Sequence, residues 1–260
     1  MAEVVLANPQ LVAFGTVADL AEGAGSGAAT VVRLATKLGY EGFSALQASV
    51  QQDLANQLRP AAERIRDPAV HDSLSRHVQL ELGNVQTTLG ELDQGALSDV
   101  VDHLADPTRR IFVLSGDASK GVATQFVGDL DALRANVTQI DGNDVAVRRT
   151  VALMEDSDVL VTVDLRRYDR WLVEAARTAA QAGVWTVSIV DSVLSPVAAC
   201  SQRTLVVAAA GAGPFDSHVG TLALMNVLVA AAAIQLRGVA TERLDRSEAA
   251  WRASNALTER

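Results

Sequence analysis

Lysine, cysteine and aromatic residues are scarce in this chain of 260 residues. There are two lysines, Lys37 and Lys120, and one cysteine, Cys200. A lone cysteine excludes an internal disulfide and a cysteine-based zinc site, and it suits a reducing compartment. Its simplest role is that of a small buried apolar residue. Aromatics make up 4% of the residues, so the core must be built from Ala, Val and Leu. That favours packed helices and buried parallel strands over an aromatic-rich β-sandwich. Positive charge is short as well. The formal net charge is −9, so no global field attracts nucleic acid or an anionic membrane, and any DNA contact has to come from a local patch. The longest apolar run, Leu222 to Ile234, falls short of a bilayer span and is broken by Asn226. No succession of basic, apolar and cleavage-site segments stands at the N-terminus. The expectation is a soluble, cytoplasmic protein with no membrane partner. His71, His77 and His103 fit no metal-ligand spacing and read as surface histidines, so no metal and no cofactor are expected.

The six prolines, at 9, 60, 68, 107, 196 and 214, interrupt no convincing periodic segment and serve as boundary markers. Residues 1–58 read as short helices separated by glycines: a stretch ending near Phe14, then Val17–Glu22, Ala28–Leu38 and Phe43–Leu58. Residues 59–107 look helical and read as a connection. From Arg110 the pattern changes to β-rich apolar runs at Ile111–Leu114, Val159–Val163, Trp185–Val190 and Thr204–Val207, with a weaker one at Val137–Ile140. Helix-like stretches at Val122–Ala135, Trp171–Ala182 and Val219–Gln235 lie between or after them. This alternation implies right-handed crossovers and a parallel sheet covered on both faces. The expected fold is α/β: an all-helical domain (1–58), a helical connection (59–107), a doubly wound five-stranded parallel-sheet domain (108–237) and a C-terminal amphipathic helix (238–260). In that last helix Leu244, Ala250, Trp251 and Leu257 are spaced as a partner-facing stripe.

Val17–Glu22, a turn with three glycines and Ala28–Leu38 have the dimensions of a helix-turn-helix. The second helix places Val31, Leu34, Ala35 and Leu38 on one apolar face, with Thr30, Arg33 and Lys37 opposite. That outer face holds two cations and no carboxylate, although the first 60 residues carry five acids and three bases. A groove-facing helix needs this arrangement, because an acid would be repelled by the phosphates. A solvated face in a small bundle would read the same way.

The stretch Val17-Ala-Asp-Leu-Ala-Glu-Gly-Ala-Gly25, followed by Ala29-Thr-Val-Val-Arg-Leu-Ala-Thr-Lys-Leu-Gly-Tyr-Glu-Gly-Phe-Ser44, resembles the helix-turn-helix domain of the RpiR family of bacterial transcription regulators. The resemblance implies a double-stranded DNA operator as partner and gives Ala28, Thr30, Arg33, Lys37 and Ser44 as the DNA-contacting candidates. Two departures stand out. Gly27 replaces the usual capping serine, a weaker cap, and the chain begins after part of the family's first helix.

In open parallel sheets, ligands bind beyond the carboxyl ends of the strands. The first strand ends in Ser115-Gly-Asp-Ala-Ser-Lys-Gly121, where Ser115, Gly116, Ser119 and Lys120 could meet an anion at a helix N-terminus. The loop is neither a Walker loop nor a dinucleotide fingerprint. The third strand ends in Asp164-Leu-Arg-Arg-Tyr168, offering Arg166, Arg167 and Tyr168. Guanidinium groups recognise phosphate or carboxylate by paired bonds. The fourth is followed by Asp191-Ser-Val-Leu-Ser-Pro196, offering Asp191, Ser192 and Ser195, and the last helix is preceded by Asp216-Ser-His218. Taken in order, these loops resemble the SIS sugar-isomerase-like domain that accompanies the RpiR helix-turn-helix. Asp191…Ser195-Pro196-Val-Ala198 matches its signature, while Arg166-Arg-Tyr168 replaces the usual Ser/Thr phosphate loop, as in a subgroup of these regulators.

The resemblance implies a regulator whose SIS domain senses an anionic or sugar-like effector and assembles as a homodimer or higher homo-oligomer. The alternative is a sugar-phosphate isomerase with a vestigial helix-turn-helix. Isomerisation needs a positioned base, and the loops offer His218 and aspartates but no glutamate, so no catalytic residue is assigned and no enzyme is expected.

Overall fold

The computed structural model describes residues 9–57, 60–66, 74–193 and 195–256. They fall into two compact units: Met1–His71 with Ser192–Ser195, and Asp72–Asp191 with Pro196–Arg260. Pro68 and His71 of the expected connection, and Leu257 of the expected C-terminal stripe, lie outside the described residues.

The described elements of the first unit are helices: α1 (Pro9–Phe14), α2 (Val17–Gly23), α3 (Ala28–Lys37), α4 (Phe43–Gln57) and α5 (Ala61–Arg64). Thr16 and Asp19 start α2 with a reciprocal cap. The Thr16 Oγ1 accepts from the Asp19 N–H at 3.2 Å, and Asp19 accepts from the Thr16 N–H at 2.7 Å. Such a cap is worth about 1 kcal/mol. Gly25, at φ +56°, makes the turn between α2 and α3, a conformation that costs other residues most. Val12, Leu20, Val31, Ala35, Phe43 and Leu46 form the core. The side-chain amide of Gln47 on α4 donates to the Val12 and Gly15 carbonyls at 3.0 and 2.9 Å, closing the end of α1. One expectation is corrected. Leu38 was placed on the apolar face, but α3 ends at Lys37, and Leu38 follows it 53% exposed.

The second unit begins with α6 (Leu74–Gly90) and α7 (Gln94–Ala105). There follow β1 (Ile111–Ser115), a 3-10 turn (Asp117–Ser119), α8 (Lys120–Leu133), β2 (Val137–Gln139), α9 (Asp144–Ala152), β3 (Val159–Asp164), α10 (Arg170–Gln181), β4 (Trp185–Val190), β5 (Arg203–Val206), α11 (Val219–Gln235) and α12 (Arg237–Ser254). All strands are parallel, in the order β2-β1-β3-β4-β5. Period-two alternation splits the core. Val113, Val161, Ile189 and Leu205 face α7, α8 and α11, whereas Leu114, Leu160 and Val190 face α9 and α10. β3 is buried along its whole length, as a central parallel strand requires.

The histidine and the cysteine depart from expectation. His103 is not a surface histidine: its ring stacks on Trp185 at 3.8 Å, where α7 packs on the start of β4. Cys200 is half-buried rather than buried. Arg134 is almost fully buried, with its guanidinium donating to the Leu104, Asp106 and Arg109 carbonyls, thereby capping the end of α7. Among the described residues no single helix is long and apolar enough to cross a membrane, and the inner face of α11 is core. Leu244 and Trp251 lie exposed on α12.

Candidate functional site

The two units carry two separate candidate sites. On α3, Ala28, Arg33 and Lys37 are exposed and Thr30 is half-exposed, while Ser44 is exposed at the start of α4. Val31 and Ala35 anchor the helix from beneath. Among the described residues Arg33 reaches only Thr30, at 3.5 Å and one turn away. Among the described residues neither Arg33 nor Lys37 forms an ion pair. Gly27 caps α3 without a side-chain bond.

In the second unit, β1 and β3 are neighbours, so the chain reverses direction across the sheet between them, where ligands bind in this topology. Asp191, at the end of β4, holds the β3 loop together. It accepts from the Arg166 backbone N–H at 3.2 Å, from the Arg166 Nε at 3.1 Å and from the Tyr168 hydroxyl at 2.7 Å. Arg166 also reaches Asp216 at 3.4 Å. Lys120 is paired with Asp141, beyond β2, at 2.8 Å. The hydrogen bond from Lys120 holds the Asp141 carboxyl below the usual range. Ser119 is fully buried, and its hydroxyl has no hydrogen-bond partner among the described residues.

In the sequence, Ser119 and Lys120 after β1 and Arg166 and Arg167 after β3 are candidate anion contacts. The structure places them differently: aspartates already neutralise Lys120 and Arg166. Arg167 alone of the three cations makes no ion pair among the described residues. It is exposed, in a left-handed conformation with φ 61°.

Asp164 ends β3 at 4% exposure, and burial, reinforced by the charges of Asp169 and Asp191, pushes its pKa up to about 7. Its Oδ2 accepts from the Asp169 N–H at 2.9 Å. Gly116 is what allows this carboxyl to sit there, because a Cβ at 116 would lie 2.4 Å from the Asp164 Oδ1. Asp169, which sequence reasoning missed, accepts from the Asp117 N–H at 3.3 Å and so ties the β1 and β3 loops together. Its signal was an acid at the N-cap position of α10.

On the last loop, Ser217 rather than Asp216 serves the start of α11: its Oγ accepts from the Val219 N–H at 3.1 Å. Burial pushes the His218 imidazole below its ordinary value, against the opposing pull of Asp216 and a hydrogen bond to the Ala118 backbone. Ser192 and Ser195 form a turn after β4, with the Ser195 N–H on the Ser192 carbonyl at 3.0 Å. No group of three or more His, Cys, Asp or Glu residues suited to a metal occurs among the described residues.

Residues 1–57 match the helix-turn-helix domain of the rpiR family, and residues 103–231 match the SIS domain. No curated protein matches the chain significantly in sequence. Among solved structures, the chain is similar to the sugar isomerase domain of an RpiR transcription factor from Sphaerobacter thermophilus. That match has 28% identity and a TM-score of 0.61, over 67% of this chain and 97% of the other. It also shares its fold with the NanR protein of Vibrio vulnificus, solved with ManNAc-6P, at 21% identity and a TM-score of 0.63, over 99% of this chain and 92% of the other. With the helix-turn-helix and the SIS domain joined in one polypeptide, the chain belongs to the RpiR family of transcriptional regulators.

Proposed function

We propose that this regulator reads its operator with Thr30, Arg33 and Lys37 of α3, flanked by Ala28 and Ser44. The observation that carries the proposal is the free cationic face of α3 in a chain whose net charge is −9. The boundaries foreseen from the sequence (1–58, 59–107, 108–237 and 238–260) serve as the working domain division, and the protein acts in the cytoplasm. The effector is a sugar-like metabolite seated beyond the ends of β1, β3 and β4, between Arg166, Tyr168, Asp191, Asp216 and His218. Arg167 meets its anionic group. The relative solved with ManNAc-6P supports a phosphorylated sugar. The protein works as a homodimer, so that two recognition helices meet half-sites about 34–36 Å apart. The exposed Leu244 and Trp251 of α12 supply apolar surface for it.

The chain has no catalytic role. Asp164 has a pKa raised to about 7, in the range that suits proton transfer. Its buried carboxyl, however, is occupied in holding the Asp169 backbone. A thermal-shift screen of sugar phosphates, sugar acids and free sugars tests the sensor reading. A stabilising ligand whose affinity falls in the Arg167→Ala variant supports it. Undiminished binding moves the site elsewhere, and aldose–ketose interconversion by the intact protein overturns the non-enzymatic reading. A sedimentation mass of one chain at micromolar concentration would rule out the dimer.

A further inference from the structure

One face of α6 carries polar residues that the sequence pattern does not explain. Glu81, Asn84 and Thr88, at i, i+3 and i+7, share a side of the helix. Asn84 and Thr88 are buried, whereas Leu74, Val78 and Leu82 are exposed. The buried side chains hold the segment that leaves β5. The Thr88 Oγ1 accepts from the Ala208 N–H at 2.9 Å, and the Asn84 side chain both accepts from the Ala210 N–H at 3.1 Å and donates to the Ala210 carbonyl at 2.8 Å. They stand in for a neighbouring strand on backbone groups that would otherwise be buried unpaired. Glu81 extends the row. It accepts from the Asn84 amide at 3.1 Å and from the Ser217 hydroxyl at 2.5 Å. The contact is close along its length: a Cβ on Gly220 would lie 2.6 Å from both the Thr88 Oγ1 and the Ala208 carbonyl oxygen.

The far side of the same loop forms the crevice wall, through Asp216 on Arg166. Residues 208–219 are therefore fastened to α6 on one side and to the crevice on the other. α6 is the first described helix of the second unit, entered directly from the connection that follows the helix-turn-helix unit. A packed, hydrogen-bonded contact does not deform continuously; it shifts as a piece.

We infer that Glu81, Asn84 and Thr88 form a clasp through which occupancy of the crevice is passed along α6 to the DNA-binding unit. The inference rests on the effector reading above. By linkage it must also run backwards, so that DNA bound at α3 alters the crevice loop. That makes it testable without knowing the effector. The probe is a duplex selected from a random-sequence pool by the full-length protein. Hydrogen exchange is followed in peptides spanning 207–219, with and without it. In the unaltered chain the duplex changes exchange there by about fivefold or more. Glu81→Ala binds the duplex but loses this response, while Glu81→Gln, which keeps an acceptor for the Ser217 hydroxyl, retains it. Thr88→Val, which opens the row at its other end, also loses it and stands in for Glu81→Ala should that variant fail to fold. A loop that exchanges identically with and without bound duplex overturns the inference and leaves the regulator reading intact, as does an unaltered response in Glu81→Ala and Thr88→Val. Recovery of no duplex at all defeats the DNA-binding reading and the inference with it.

Discussion

The two units hold their cations in opposite ways. On α3, Arg33 and Lys37 project from a helix whose other side is anchored by Val31 and Ala35, and no acid of the described residues pairs with them. At the ends of the parallel strands, Lys120 and Arg166 are each met by an aspartate from a different loop, Asp141 for one and Asp191 with Asp216 for the other. A basic residue in the sequence therefore means different things in the two places. Where neighbours are set by helical spacing, the sequence shows whether a charge is free. Where they come from loops 21 to 50 residues apart, it does not. The α3 cations have no acidic partner among the described residues, whereas two of the three crevice cations hold loops of their own unit.

The largest expected effect lies on the paired side. Arg166→Ala leaves the nearly buried Asp191 carboxylate, 3% exposed, without its cation. The variant should lose about 3 kcal/mol in urea unfolding, a cost typical of breaking such a pair. Equal stability would mean that Arg166 is as free as Arg33, and the contrast would fail. Gly116→Ala comes next. It drives a Cβ against Asp164 and should cost about 1–3 kcal/mol, again read by unfolding.

On the free side, Arg33→Ala should leave unfolding unchanged within about 0.5 kcal/mol. It should weaken operator binding by about 1–3 kcal/mol and relax specificity at one base pair. Lys37→Ala should lower affinity evenly across sequences and reduce the salt slope by about one unit. Unchanged DNA affinity and salt dependence in both would reject α3 as the reader.

A pH dependence also separates the units. The folded pKa of Asp164 is raised to about 7, so between the ordinary carboxylate range and pH 7 the folded state holds a proton that the unfolded state has released. Stability should accordingly fall as pH rises through that window, by up to about 1.4 kcal/mol per pH unit. Unfolding series at pH 5 to 8 should show this slope in the wild type and its loss in Asp164→Asn. A persistent slope would point to another group. The smallest change belongs to α3. Gly27 has an extended backbone and open space at its Cβ, so Gly27→Ser should stabilise by a few tenths of a kcal/mol. A loss would mean that the cap position is misplaced.

Much of the architecture was legible beforehand. β1, β3, β4 and β5 end within a residue of the apolar runs, and the five strands form the expected parallel sheet. α8 starts two residues before the expected Val122, because Lys120 and Gly121 continue directly from the 3-10 turn. The residues that were illegible share a feature: their partners lie far away in sequence. Arg134 is bound to carbonyls 25 to 30 residues earlier. Asn84 and Thr88 on α6 bond to residues 126 and 120 positions away.

The residue order by itself thus determined the elements, their caps, the parallel sheet and the cationic face of the recognition helix. Each of these depends on periodicity or on groups three to four residues apart, which a linear sequence states outright. Only the tertiary structure decided which charges at the strand ends remain free, why Gly116 has no side chain, and what the polar face of α6 holds. Those outcomes were set when strands distant in sequence became neighbours and brought their loops within hydrogen-bonding reach of one another.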